Sequence, residues 1–170
     1  QFGNPTILTM NDTLGAQPND KFGAALAFGD SDGDGRDDLA VGVPYRSVVP
    51  TLNPVAASQA GAVMLYPGTA SGIDGTQGVR KTQNELFEVP EVNDHFGWSL
   101  AYGKFDGSAR RGLAIGCPDE DFNPNPQFTN PILANAGAVY MDIPWKQVQG
   151  IQSLGCMVVD CGGNILFSQK

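Results

Sequence analysis

Phe22-Gly-Ala-Ala-Leu-Ala-Phe-Gly-Asp30-Ser-Asp32-Gly-Asp34-Gly-Arg36-Asp-Asp38-Leu-Ala-Val-Gly-Val-Pro44 decides the fold, because it recurs. At a gap-free offset of 74 residues the chain reads Phe96-Gly-Trp-Ser-Leu-Ala-Tyr-Gly-Lys104, then a similar loop, then Leu113-Ala-Ile-Gly-Cys-Pro118. About half of the positions are identical. After each proline comes a loop rich in Pro, Asn, Ser and Thr, and then Ala60-Gly-Ala-Val-Met-Leu-Tyr66 is echoed by Ala136-Gly-Ala-Val-Tyr-Met141. A repeat of this length is one supersecondary unit that needs neighbours to bury its apolar face.

Each unit reads as consecutive short strands. Residues 22–29 alternate roughly, and 39–43 are a continuous apolar run, the pattern of a strand covered on both faces. Residues 61–66 give a third strand and Glu85-Leu-Phe-Glu-Val89 a fourth. Turn residues separate them. Four antiparallel strands per unit is the pattern of a propeller blade. Cys156-Met-Val-Val159 and Asn164-Ile-Leu-Phe167, flanking Gly162-Gly163, predict a C-terminal hairpin. Thr6-Ile-Leu-Thr9 predicts a lone strand awaiting a sheet. The expected fold class is therefore all-β: propeller-like antiparallel blades plus a hairpin, incomplete as a closed propeller. The expected organisation is a single domain, 1–170, with an N-terminal strand segment (1–20), repeat 1 with an acidic loop (21–90), repeat 2 with a degenerate loop (91–144) and the hairpin (145–170).

The acidic loop carries the sharpest chemistry. Asp30, Asp32, Asp34 and Asp38 stand at relative positions 1, 3, 5 and 9. Alternate residues of a coiled loop point inward, so their oxygens can converge, and the Arg36 carbonyl can add another. Gly33 and Gly35 permit the turns. Ca²⁺ takes six to eight hard oxygens in flexible geometry, whereas Mg²⁺ demands a stricter octahedron and is the second choice. An EF-hand is excluded, because it needs an incoming helix and a Glu at position 12, where this chain has Val41. In the second copy Asp30 becomes Lys104, Asp32 stays as Asp106, Asp34 becomes Ser108 and Asp38 becomes Gly112. No Ca²⁺ site is expected there; Lys104 either pairs with Asp106 in place of a metal or stands in solvent.

Composition narrows the partners. Net charge is −8 over 170 residues, and charged residues are only 16%. Nucleic acid and anionic membranes need a basic face and are excluded as partners. The 22 glycines and 12 prolines favour short strands and tight turns over long helices. Apolar runs fall far short of the ~18 residues that span a bilayer, so membrane insertion is not expected. The chain opens at Gln1 and its first Met is Met10, which reads as a processed mature chain or an excised fragment. Asn11-Asp12-Thr13 is a candidate N-glycosylation sequon or a chance match in a turn. Cys156 and Cys161 are the candidate disulfide pair, leaving Cys117 as a buried small hydrophobe or a partner in another chain.

Phe22-Gly23, Asp30 to Asp38, Leu39 to Pro44 and Gly61-Ala62-Val63 resemble the FG-GAP repeats of integrin α-chain propellers and related secreted bacterial proteins. Phe96-Gly97, Leu113 to Pro118 and Gly137-Ala138-Val139 repeat the pattern without the metal loop. The resemblance implies a β-propeller whose Ca²⁺, held between a blade's first two strands, stiffens the blade and takes no part in catalysis. Its ligands here would be Asp30, Asp32, Asp34, Arg36 by its carbonyl, and Asp38. Family propellers close a ring of seven blades, whereas this chain has two repeats.

Two blades leave edges open, and open edges invite pairing with another chain. The expected function is an extracellular, calcium-stabilised structural protein that self-assembles through its sheet edges as a filament or surface-layer subunit. The alternative is an integrin-like adhesion or ligand-binding module, a piece of a larger propeller, using loops 45–59 and 119–135 on a cell-surface or matrix protein or a glycan. In that loop Asp119-Glu120-Asp121 reads either as acidic contacts of the binding surface or as a solvated charge cluster. Catalysis is not expected: His95 reads as a turn residue, and Ser99 has no nucleophile-elbow motif. Phe22, Phe28, Phe96, Trp98 and Tyr102 read as packing between blades, with sugar stacking by Trp98 or Trp145 as the other use.

Overall fold

A computed structural model describes residues 7–10, 15–51, 54–86, 88–121, 133–142, 157–159 and 165–167. The candidate glycosylation site Asn11, the candidate disulfide Cys156–Cys161 and Trp145 lie outside them.

Repeat 1 forms a four-stranded antiparallel sheet. Its strands are β1 (Leu26–Gly29), β2 (Asp38–Val43), β3 (Ala62–Tyr66) and, at the far edge, β6 (Val79–Lys81). Between β3 and β6 a small hairpin of β4 (Gly68–Thr69) and β5 (Gly72–Ile73) pairs with itself. Repeat 2 supplies β7 (Ser99–Gly103), β8 (Gly112–Cys117) and β9 (Ala138–Asp142). The C-terminal strands β10 (Met157–Val159) and β11 (Ile165–Phe167) pair antiparallel as a hairpin, and β10 also pairs with β9, giving the order β11-β10-β9-β8-β7. The structure is all-β with propeller-like blades, and neither sheet closes on itself.

Three expectations are corrected. Residues 22–25 turn before β1 starts at Leu26. The fourth strand of repeat 1 is β6, not Glu85–Val89, and Gln83–Leu86 make a 3₁₀ turn. That turn is fixed by Thr82, whose backbone N–H and hydroxyl both donate to the Glu85 carboxylate, at 2.6 and 2.7 Å. This Thr-x-x-Glu spacing is a helix-start signature, and it overrides the strand alternation. Finally, Ile7–Met10 join no strand; Leu8 and Met10 instead lie over the sheet, and the Tyr66 hydroxyl donates to the Thr9 carbonyl at 3.1 Å.

Because β2 and β3 are covered on both faces, their continuous apolar sequence is explained. Leu39, Val41, Val43, Met64 and Tyr66 pack with Leu8, Met10 and Phe22 on one face. Ala27, Ala40 and Val63 on the other meet Phe96, Leu113, Ile115, Cys117 and Tyr140 of repeat 2. The blades approach at backbone distance. A Cβ on Gly42 would lie 2.2 Å from the Gly97 carbonyl oxygen, and one on Gly61 (φ +92°) 2.2 Å from that of Phe96. Phe96 N–H donates to Ala60 O at 2.8 Å across this seam. The repeat extends to hydrogen bonds: Gly23 N–H to Gly42 O in repeat 1 matches Gly97 N–H to Gly116 O in repeat 2, both at 3.1 Å.

The repeat also identifies a face that no described residue covers. Ala27, Ala40, Val63 and Leu65, which pack on blade 2, correspond to Ala101, Ala114, Val139 and Met141 of blade 2 itself. The register places those four on the face of blade 2 turned away from blade 1, and Val139 is 43% exposed. On β1, Leu26 and Phe28 are also exposed, so Phe28 does not pack between these blades. Trp98 is exposed as well, while Phe96 is fully buried.

Candidate functional site

The loop joining β1 to β2 is built by its own carboxylates. Asp30 accepts from the backbone N–H groups of Gly33 (2.6 Å) and Gly35 (3.0 Å). Asp32 accepts from Asp34 N–H at 2.9 Å, and Asp34 from Arg36 N–H at 2.8 Å. Gly33 and Gly35 take φ of +84° and +86°, the left-handed turns that coil the loop. As a result Asp30, Asp32 and Asp34 each present an oxygen within 4.8 Å of the others. The Arg36 guanidinium pairs with Asp34 at 2.7 Å in solvent. Hydrogen bonds from the Arg36 backbone and side chain hold the Asp34 carboxyl below its ordinary pKa.

Asp38 is placed differently. It is buried at the start of β2, where it accepts from Ser31 N–H (3.0 Å), the Ser31 hydroxyl and Gly68 N–H (2.9 Å). It therefore ties the loop's first turn to the β4 hairpin and stands apart from the three convergent carboxylates. Repeat 2 supports the loop from the side: Arg111 N–H donates to the Asp30 carbonyl at 2.8 Å, and the Arg110 side chain lies over Gly33. Hard carboxylate oxygens held by backbone turns are a donor set that fits a divalent cation such as Ca²⁺ or Mg²⁺. Asp30, Asp32 and Asp34 are the residues that can hold it.

The degenerate loop keeps the turn and loses the charge. Asp106 accepts from Ser108 N–H at 2.9 Å, the counterpart of the Asp32–Asp34 bond, and Lys104 is exposed.

Polar pairs that sequence patterns did not reveal sit behind the loops. In repeat 1, Asp20 (5% exposed) accepts from the Arg46 guanidinium (0% exposed) at 2.8 Å. In repeat 2, His95 Nδ1 lies 2.7 Å from an Asp119 oxygen, and Asp121 accepts from Asn135 N–H at 2.7 Å. Within the Asp119–Asp121 run Glu120 is thus buried, while Asp119 and Asp121 reach the surface and bond to His95 and Asn135. His95 has φ +56° and Lys21, its counterpart, +60°, so both are turn residues. Cys117 is a free, buried thiol. Between the repeats a groove of about 450 Å³ is lined by Lys21, Phe22, Tyr45 and Trp98 among others, and the His95 ring meets Tyr45 at a tilt and Trp98 edge-on.

Stacked antiparallel blades, one with convergent carboxylates between its first two strands, define a propeller-type repeat module. Residues 22–66 match the family model for the FG-GAP repeat, so this stretch of the chain is an FG-GAP repeat. Similar curated proteins are the phosphatidylinositol-glycan-specific phospholipases D of Homo sapiens (32% identical), Mus musculus (31%) and Bos taurus (30%). Each match runs over 104 residues, 61% of this chain and 11% of the relative. The chain thus spans about a tenth of the length of these relatives. No helix among the described residues is long and apolar enough to cross a membrane.

Proposed function

We propose that this chain is an extracellular structural module, stiffened by one Ca²⁺ on Asp30, Asp32 and Asp34, that assembles with copies of itself through its open sheet edges and the uncovered face of blade 2. Arg36 by its carbonyl and Asp38 from the loop's base complete the ligand set as the ion draws the loop in. The observation that carries the reading is this face of blade 2, which no described residue covers. Ala101, Ala114, Val139 and Met141 repeat the surface that already receives a blade within the chain. The exposed Leu26 and Phe28 lie on the opposite kind of face, so copies can add head to tail. Such contacts build a filament unless the rotation closes a ring. The module has no catalytic role in this reading, and the phospholipase activity in its relatives' names is not carried over. No hydroxyl or thiol makes a hydrogen bond to His95 among the described residues.

One observation favours an adhesion role as the second reading: the groove beside Trp98, which is 48% exposed, offers aromatic faces to a glycan or peptide. The small share of each relative that the chain spans suits a piece of a larger propeller. Light scattering in millimolar calcium, with negative-stain imaging of the same sample, separates the two. Assembly predicts particles many times heavier than 17.9 kDa that a Val139→Glu substitution returns to monomers. A wild-type monomer at every concentration would contradict self-assembly.

A further inference from the structure

The two repeats solve one burial problem with opposite charges. At the offset of 74, Asp20 corresponds to Asp94 and Arg46 to Glu120. In repeat 1 the pair is a carboxylate on a guanidinium, neutral as a unit. In repeat 2 the same place holds two carboxyl groups, Asp94 at 1% and Glu120 at 5% exposure. Buried charges are ordinarily paired. Among the described residues no Lys or Arg forms an ion pair with either.

Among the described residues, no Lys or Arg stands among the groups around them. From the 3₁₀ turn, the Gln83 amide donates to Glu120 Oε2 at 2.7 Å and to Asp94 Oδ2 at 3.0 Å. From the loop before β7, Glu91 N–H donates to Asp94 Oδ2 at 2.6 Å. From β8, the Cys117 thiol lies 3.2 Å from Glu120 Oε2, and from β9 the Tyr140 hydroxyl lies 3.4 Å from the Gln83 amide nitrogen. The remaining titratable neighbours are Glu88, Glu91, Asp119 and Asp121, all acidic, and the nearby His95 is engaged by Asp119. The Cys117 thiol and the Tyr140 hydroxyl donate to Glu120, while Gln83 Oε1 is buried without a hydrogen-bond partner, so one acceptor of the pocket lacks a donor.

We propose that the missing positive charge is a proton. Glu120 is a neutral carboxylic acid in the folded protein, and this acid locks the seam between the blades in place of the arginine of repeat 1. Its O–H adds a donor to a pocket where the Gln83 amide nitrogen already bridges the Glu120 and Asp94 carboxyl groups. On deprotonation the proton passes to solvent and leaves two buried anions beside Tyr140 and Cys117, in the cluster that joins the blades. The seam is thus tightened by acid and loosened by base. Burial first, and the Asp94 charge second, push the Glu120 carboxyl up to about 8.

The sign follows from proton counting. The unfolded Glu120 titrates near its ordinary 4.5 and the folded one near 8, so between those values the folded state holds the extra proton. Stability from this group is full below 4.5, falls as pH rises, and is gone above about 8. One proton changes the unfolding constant about tenfold per pH unit. Urea unfolding of the full chain at pH 5, 6, 7 and 8, at fixed calcium, tests this against Glu120→Gln, which keeps the shape and cannot ionise. Wild type should lose stability more steeply than the variant, by about tenfold per unit. Parallel slopes would overturn the proposal. A carbon-13 NMR titration of the wild-type Glu120 carboxyl decides even if the variant does not fold. A midpoint near 8 supports the proposal, and one near 4.5 overturns it.

Discussion

Phe96→Ala is expected to destabilise the fold by about 3–5 kcal/mol, the range for truncating a fully buried aromatic side chain. Phe96 has no exposed surface and lies edge-to-face with Tyr140 at 5.5 Å between centroids. Its backbone bridges Gly61 of repeat 1, so its ring is anchored at the seam between the sheets. The space it leaves cannot collapse easily, because Gly42, Gly61 and Gly97 already bring the backbones to contact. Urea denaturation measures the loss. A change under about 1 kcal/mol, typical of exposed positions, would mean that the blades do not share a core.

Arg46→Ala is expected to cost a similar amount, about 3–5 kcal/mol, because breaking a buried pair leaves the other charge stranded. Arg46 donates to Asp20 at 2.8 Å and to the Gly15 carbonyl at 2.7 Å, holding the segment before repeat 1 against the sheet. Asp20→Asn in the same chain removes the stranded charge and should recover part of the loss. A double variant no more stable than Arg46→Ala would show that the guanidinium acts through packing alone.

The strands at 38–43 and 62–66 were legible because a strand covered on both faces must be apolar throughout. The repeat offset carried the same reading to the second blade. Residues 85–89 misled because alternation over five residues is weak beside the Thr82–Glu85 cap. Thr6–Thr9 read as a strand because an apolar segment lying over a sheet, as Ile7–Thr9 do, needs the same residues as one inside it. Phe28 and Trp98 looked like core because repeat position says nothing about whether a neighbouring blade is there to cover them.

At the acidic loop, spacing located the carboxylates but could not separate Asp38 from the rest. Its burial depends on Gly68, 30 residues away, whose N–H it accepts. The Asp94–Glu120 pocket had a readable signal, the exchange of Arg46 for Glu120 at the repeat offset. It carried meaning only once Asp20 and Arg46 were seen in contact.

The metal loop is the centre of the account, and calcium calorimetry on three chains tests it most directly. Wild type should bind one ion. In calcium at about a hundredfold excess over Kd it should gain about 2.7 kcal/mol, or about 5–10 °C in Tm for a chain of this size. Asp32→Ala should lose both the binding and the shift. Asp106→Ala removes the matching turn bond from the degenerate loop, so it controls for turn loss and should bind as wild type does. Equal calcium affinity in wild type and Asp32→Ala would contradict the assignment of the site.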